Sequence, residues 1–295
     1  MRNPLSVLVA TDLSTLARHA AQRGAMLARE SAGTLELLHV LEAPALAALR
    51  RLLGQAEADL EQRLATQASD ALAELARQLQ QQYGIEAPWH LAGGPLVAGI
   101  TDTARRHGSD LLVVGASSAA MLRNWLLGAT ADRLLRTNTC PVLSVRQTPH
   151  EPYRNVLVPV DFSDSSARSI AHVRRIVPQA QLVLMHACAL PFEGKMRFAG
   201  VSDATVMQYR RDARRRAETQ LQSLAAQAGL TPLQWSPAVT QGDPGQDIVQ
   251  QQVELDSDLI ALAKHGAGVT EELLLGSVTQ QVLGRAHCDV LVTPG

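Results

Sequence analysis

Cysteine is scarce in this chain of 295 residues: Cys140, Cys188 and Cys288 are widely spaced, with no CxxC pair. Neither a disulfide framework nor a thiolate zinc centre is indicated, and the three read as small buried apolar residues. Aromatic residues make up 3%. An excess of either charge is also missing, since 27 Lys and Arg stand against 28 Asp and Glu, with a sequence pI near 6.8. No strong field is available to grip a nucleic-acid backbone or an anionic membrane. Long hydrophobic runs are absent: the apolar stretch Leu5 to Ala10 falls far short of the roughly 20 residues of a membrane span and is too short for a signal-peptide core. The expectation is a soluble cytoplasmic protein. Lysine is nearly absent as well, with Lys195 and Lys264 alone among the basic residues and arginine supplying the rest.

What is present is 46% hydrophobic residues on a chain long enough for two domains, together with an internal repeat. Val7 to Ser14 (VLVATDLS) aligns with Val156 to Ser163 (VLVPVDFS) at an offset of 149. Ser109-Asp110-Leu111 aligns with Ser257-Asp258-Leu259, Leu126-Leu127-Gly128 with Leu274-Leu275-Gly276, and Cys140 with Cys288, each at an offset of 148. The period is too long for a solenoid. It predicts two copies of one domain, residues 1–149 and 154–295, joined by a short linker stiffened by Pro149 and Pro152.

Within each copy, short β-branched runs alternate with longer Ala, Leu, Arg and Gln stretches of helical period. The runs are Ser6 to Thr11, Thr34 to Val40, Asp110 to Gly115 and Val142 to Arg146, then Asn155 to Val160, Gln181 to Ala187, Leu233 to Thr240, Asp258 to Ala263 and Asp289 to Thr293. Such alternation predicts the α/β class, with a five-stranded parallel sheet flanked by helices in each domain. Ligands of such sheets bind beyond the carboxyl ends of the strands, where strand order reverses. The residues after the first and fourth strands are therefore the ones to inspect.

After the fourth strand of the second copy comes Ala263-Lys264-His265-Gly266, and Gly276-Ser277-Val278-Thr279 then opens a helix. Glycines admit close backbone approach, and Ser277 and Thr279 can add hydroxyl donors at a helix N-terminus, an arrangement suited to a phosphate. Turn chemistry alone also produces this pattern. Lys264 can meet a phosphate as a point charge or lie solvated. His265 has no second ligand at metal-binding spacing, so no metal site is expected. The Arg210 to Arg216 cluster is interrupted by Asp212 and reads as a solvated face. No GxSxG, GK[ST] or HExxH sequence occurs.

Each copy opens with a strand and Asp-x-Ser, and closes with Gly-[Ser/Thr] or its remnant before a helix and a final strand. In this the chain resembles the universal stress protein family in its tandem form, over nearly its whole length. The resemblance implies Rossmann-like domains of the adenine nucleotide alpha hydrolase type. It also implies a Gly-x2-Gly-x9-Gly-[Ser/Thr] loop around the phosphates and ribose of ATP. In the second copy the motif positions are Ala263, Gly266, Gly276 and Ser277, and in the first Gly115, Ser118, Gly128 and Ala129, where Thr130 can partly replace the lost hydroxyl. The resemblance places the Asp after the first strand, Asp161 or Asp12, beside the nucleoside, although Asp-x-Ser is equally a helix-capping pattern. It sets the adenine against backbone at the end of the second strand, His186 and Ala187, or His39 and Val40.

The binding set expected in the second copy is Pro159, Asp161, Ala187, Ala263, Lys264, Gly266, Gly276, Ser277, Val278 and Thr279. A first-copy pocket would use Asp12, Val40, Gly115, Gly128 and Thr130. The implied ligand is ATP or another adenine nucleotide, with or without Mg²⁺. The implied partners are a second domain docked through the last strands and a second copy of the chain, with no nucleic acid or membrane. Binding is better supported than turnover. The alternatives are a slow ATPase in which Asp161 positions water or Mg²⁺, and a nucleotide-free interaction scaffold. Phe192 and Phe198 stand where a lid over the second pocket would lie.

Overall fold

The computed structural model describes residues 4–42, 60–116, 129–137, 139–188, 190, 193–266 and 275–294, the side chains of 129–131 excepted. The chain divides into two compact units, Met1–Pro152 and Tyr153–Thr293. In the first, β1 (Ser6–Ala10), β2 (Thr34–Glu42), β3 (Trp89–Gly94), β4 (Leu111–Gly115) and β5 (Val142–Val145) form a parallel sheet in the order β3-β2-β1-β4-β5. In the second, β6 (Asn155–Pro159), β7 (Gln181–Ala187), β8 (Trp235–Thr240), β9 (Leu259–Ala263) and β10 (Asp289–Thr293) repeat it as β8-β7-β6-β9-β10. Strand order reverses between β1 and β4, and between β6 and β9.

The helices between them are α1 (Thr15–Ser31), α2 (Leu60–Tyr83), α3 (Leu96–Arg106) and α4 (Ala129–Thr137) in the first unit. The second holds α5 (Asp164–Ile176), α6 (Glu193–Phe198), α7 (Asp203–Gln227), α8 (Pro244–Glu254) and α9 (Ser277–Arg285). None of the described helices is long and apolar enough to cross a membrane. The central strands are buried on both faces, as in β4 (Leu111, Leu112, Val113) and β9 (Leu259, Ile260, Ala261), which is why they read as continuous apolar runs rather than alternating ones. Small residues on α1 (Ala17, Ala20, Ala21, Gly24, Ala25) let that helix lie close on the sheet, and a Cβ at Gly24 would come within 2.7 Å of Val9 Cγ2.

Two strands depart from expectation. β3 corresponds to none of the runs marked in the sequence, because it pairs only with β2 and has the composition of an edge: a half-exposed Trp89, then two glycines at its end. β8 begins two residues later than its apolar run, because Thr231 N–H donates to Gln234 Oε1 and Gln234 N–H to Thr231 O, which closes a turn there.

α1 ends in a Schellman pair, Gly33 N–H to Ala28 O at 2.8 Å and Ala32 N–H to Arg29 O at 3.2 Å. The left-handed position is held by Ala32 (φ 54°, ψ 36°) and not by the glycine beside it. An alanine there is strained by its Cβ, so Ala32→Gly is expected to raise the stability of the first domain by about 0.5–1 kcal/mol, read by urea unfolding.

Candidate functional site

At the reversal point of the second unit, a cavity of about 330 Å³ lies beyond the carboxyl ends of the strands. It is walled by the end of β6 (Pro159, Val160, Asp161), the end of β7 (Met185, His186, Ala187), the start of α8 (Pro244, Ile248), the end of β9 (Leu262, Ala263), Gly266, and the start of α9 from Gly276 to Thr279. The size and the mixture of apolar walls with a few polar groups suit a small-molecule site.

Pro159 helps to open it. Val160 N–H donates to Met185 O on β7, and successive strand amides point to opposite sides, so an amide at 159 would face β9. Proline has none, and β6 and β9 are in register only at Val156↔Leu259 and Leu157↔Ile260. In the first unit, where Ala10 occupies the equivalent position, β1 and β4 stay paired as far as Ala10↔Val114.

Asp161 is held by the hydroxyls of Ser163 and Ser166 and by the Ser163 amide. Its Oδ1 accepts from Ser163 N (3.1 Å), Ser163 Oγ (2.5 Å) and Ser166 Oγ (2.7 Å), while its own N–H donates to Ser166 Oγ at 3.0 Å. The Ser163 hydroxyl, turned toward the carboxylate, makes no capping bond to α5. In the first unit the equivalent Ser14 does cap α1, accepting from Ala17 N at 3.3 Å, and Asp12 Oδ1 accepts from Ser14 N at 3.0 Å. The two Asp-x-Ser sequences thus serve different purposes, a helix cap in the first copy and an oriented carboxylate in the second. What separates them is Ser166, whose counterpart is Ala17.

Gly266 lies against that carboxylate: a Cβ there would stand 2.4 Å from Asp161 Oδ2. Residues 161 and 266, more than a hundred positions apart, therefore meet at one corner of the cavity. Phe162, in the left-handed region at φ 63°, places its ring 4.4 Å from that of His186, whose Nδ1–H donates to Val160 O at 2.9 Å. His39 makes the same bond to Thr11 O at 2.8 Å in the first copy, so this clamp between the first two strands belongs to the domain and not to the cavity.

Nine of the ten residues expected at the second site line the cavity; Lys264 does not. Lys264 is buried, and its backbone carries its part: N–H to Thr293 O at 2.8 Å, and O accepting from Gly276 N at 3.0 Å. Two supposed donors are also engaged internally. The Gly276 amide is taken by Lys264, and the buried Thr279 hydroxyl donates to Ala263 O at 3.0 Å, which ties the first turn of α9 to the end of β9. Ser277 and the amides of the first turn of α9, which have no acceptors within the helix, are left to face a ligand. Burial, then the charge of Lys264, pushes the His265 pKa down, so its ring is neutral in neutral solution. Phe198 is 96% exposed and covers nothing; Phe192 lies outside the described residues.

In the first unit, Asp12 is exposed and Val40 buried. Gly115 is pressed against the start of α1, where a Cβ would meet Leu16 O at 3.0 Å. Gly128 and the side chain of Thr130 lie outside the described residues. Sequence reasoning missed Val160, Ser166, Met185, Pro244, Ile248 and Leu262. Of these, Ser166 was detectable as a hydroxyl gained against Ala17 on the same helix turn.

The sequence profile of the universal stress protein family matches residues 5–146 and again 152–294. The chain belongs to the universal stress protein family. Among its relatives, universal stress protein A homolog 1 of Coxiella burnetii is 30% identical over 139 residues, 47% of this chain and 94% of that protein. A universal stress protein of Methanocaldococcus jannaschii is 25% identical over 148 residues, 48% of this chain and 81% of that protein. Among solved structures, a universal stress protein from Archaeoglobus fulgidus covers 98% of this chain and 96% of its own at 18% identity, with a TM-score of 0.66. One from Pseudomonas aeruginosa covers 98% and 93% at 18% identity, with a TM-score of 0.65. These two share the tandem α/β fold. This universal stress protein thus carries two family domains of the Rossmann-like type, of which the second holds the cavity described above.

Proposed function

We propose that the second domain binds an adenine nucleotide, and by the family resemblance ATP, in the cavity between β6 and β9. The observation that carries this is the convergence, around one cavity of about 330 Å³, of Asp161, Gly266 and the Gly276-Ser277 start of α9. The backbone of Val160 and of Met185 to Ala187 forms the wall for the base. The fixed Asp161 carboxylate addresses the ribose hydroxyls, and Ser277 with the first-turn amides of α9 addresses the phosphates. The cradle has room for such a group at Gly276, where a Cβ meets no atom of the described residues closer than 3.5 Å. Mg²⁺, where it accompanies the phosphates, would be met by the Asp161 carboxylate.

Binding is favoured over hydrolysis. Asp161 Oδ1 accepts from three donors, which suits an orienting group. The first domain is a partner with a structural duty or a different ligand, because it lacks the Ser166 and Ser277 hydroxyls, having Ala17 and Ala129 instead.

Denaturing the purified protein and identifying released small molecules by mass spectrometry is expected to yield an adenine nucleotide. Calorimetry with ATP, AMP and cyclic AMP then ranks them. Neither a co-purified nucleotide nor any heat with the three ligands would overturn the reading.

A further inference from the structure

Outside the cavity, one cluster of titratable groups stands on the first domain. Glu36 on β2, His90 on β3 and His107 at the C-terminal end of α3 come from three separate elements. Their donor atoms lie within 4.8 Å of one another. His90 Nε2 is 2.7 Å and His107 Nδ1 2.6 Å from the same atom, Glu36 Oε2. The two rings meet edge to face at 4.7 Å between centroids. Because Leu38 is opposite His90 in the sheet register, Glu36 and His90 share the face that α3 covers.

We propose that Glu36, His90 and His107 bind a divalent transition-metal ion of the zinc class, with water completing the coordination. Two imidazoles and one carboxylate are a donor set suited to Zn²⁺ or Co²⁺ and a poor one for Mg²⁺ or Ca²⁺, which take oxygen ligands. Tetrahedral zinc holds its donors about 3.3 Å apart, so the two contacts to Glu36 lengthen by about 0.6 Å and the two imidazole nitrogens, within 4.8 Å of each other, settle at a similar spacing. Side-chain exposures of 38% for His90, 21% for Glu36 and 26% for His107 give solvent access to the remaining position.

Two independent features point the same way. His107 caps the C-terminal end of α3, where the helix dipole favours a cation. The neighbouring cations are engaged elsewhere, Arg105 with Asp102 at 3.2 Å and Arg106 with Thr103 Oγ1 at 3.0 Å. The second domain shows that the fold does not demand this trio. The strand and cap positions equivalent to Glu36, His90 and His107 hold Val183, Ala238 and Leu255, with Ala238 opposite Met185 in register and Leu255 capping α8. Two histidines and a glutamate gathered where the sister domain has three apolar residues need a reason other than folding.

The test uses the whole chain, stripped with a chelator and dialysed. Co²⁺ titration is followed by its visible d–d bands, with Zn²⁺ competition and calorimetry for stoichiometry. One ion per chain with tetrahedral-type bands is expected. His90→Ala and His107→Leu install residue types that the sister domain tolerates at the same places, so folding should persist, as checked by circular dichroism. Each is expected to weaken Zn²⁺ at least about 100-fold, more than loss of an outer-shell contact costs, and Glu36→Gln to weaken it less. Absence of bands and heat in the wild type would show a hydrogen-bonded trio without a metal function. Unchanged affinity in both histidine variants would place the ion elsewhere and overturn the assignment. If one histidine variant misfolds, the other and Glu36→Gln still locate the ion, and none of these readouts depends on nucleotide binding.

Discussion

Gly276→Asp is expected to abolish adenine-nucleotide binding in calorimetry, a loss of at least about 1000-fold, or about 4 kcal/mol, while the domain melts no lower than wild type. The backbone at 276 has φ −59° and ψ 148°, which any residue can adopt. A Cβ there meets His265 Cα at 3.5 Å and Lys264 O at 3.6 Å, ordinary van der Waals contacts. None of the described residues therefore opposes the side chain. Gly276 is also the N-cap of α9 and has no side chain to make a capping bond, so aspartate, a preferred N-cap, adds a few tenths of a kcal/mol to the helix. The ligand meets the opposite effect, because the carboxylate occupies the cradle and repels a phosphate. Nucleotide affinity retained within tenfold would show that the ligand does not sit at the start of α9.

The largest stability effect is expected from Gly33→Ala, a loss of about 3 kcal/mol or more in the first domain. A Cβ at Gly33 would fall 2.0 Å from Leu5 O and 2.5 Å from Leu5 N. Those are backbone atoms, and neither side can retreat. Leu5 O is fixed by the Thr34 N–H at 2.8 Å where β1 meets β2, and Gly33 is fixed by its bond to Ala28 O. A drop of about 6–12 °C in the melting transition of that domain is the corresponding readout. Gly84→Ala is the control. Gly84 has φ 68° but no described atom within 4 Å of an added Cβ, so only net conformational strain of about 0.5–1 kcal/mol is expected. Equal losses in the two variants would mean that the Leu5 contact is relieved by movement of the first strand.

Most of the fold was legible in the sequence. The repeat of VLVATDLS as VLVPVDFS marked two copies, and continuous apolar runs such as Leu111 to Val114 marked strands buried on both faces. The exceptions have local causes. β3 carries too little apolar pattern to be read because an edge strand packs on one side only, and β8 starts late because a Gln234 turn takes up the beginning of its run. The site was partly legible, because glycines and small hydroxyl residues at fixed spacing bring backbone close to a ligand. Lys264 shows what spacing alone does not reveal. A rare lysine inside the loop looked like a phosphate contact, yet its side chain is buried and its amide and carbonyl tie the end of β9 to β10 and α9.

The sequence by itself determined that the chain is a duplicated α/β domain and that its second copy keeps the fuller loop motif, because periodicity and spacing are local properties of the chain. Only the tertiary structure decided which residues act together. It bent Ser163 and Ser166 around Asp161, set Gly266 against the same carboxylate, and separated β6 from β9 beyond a proline. It also gathered Glu36, His90 and His107, of which the first two stand 54 residues apart, onto one face of a sheet. Such contacts are made by parallel strands brought side by side across long crossovers, and no spacing along the chain encodes the distance between them.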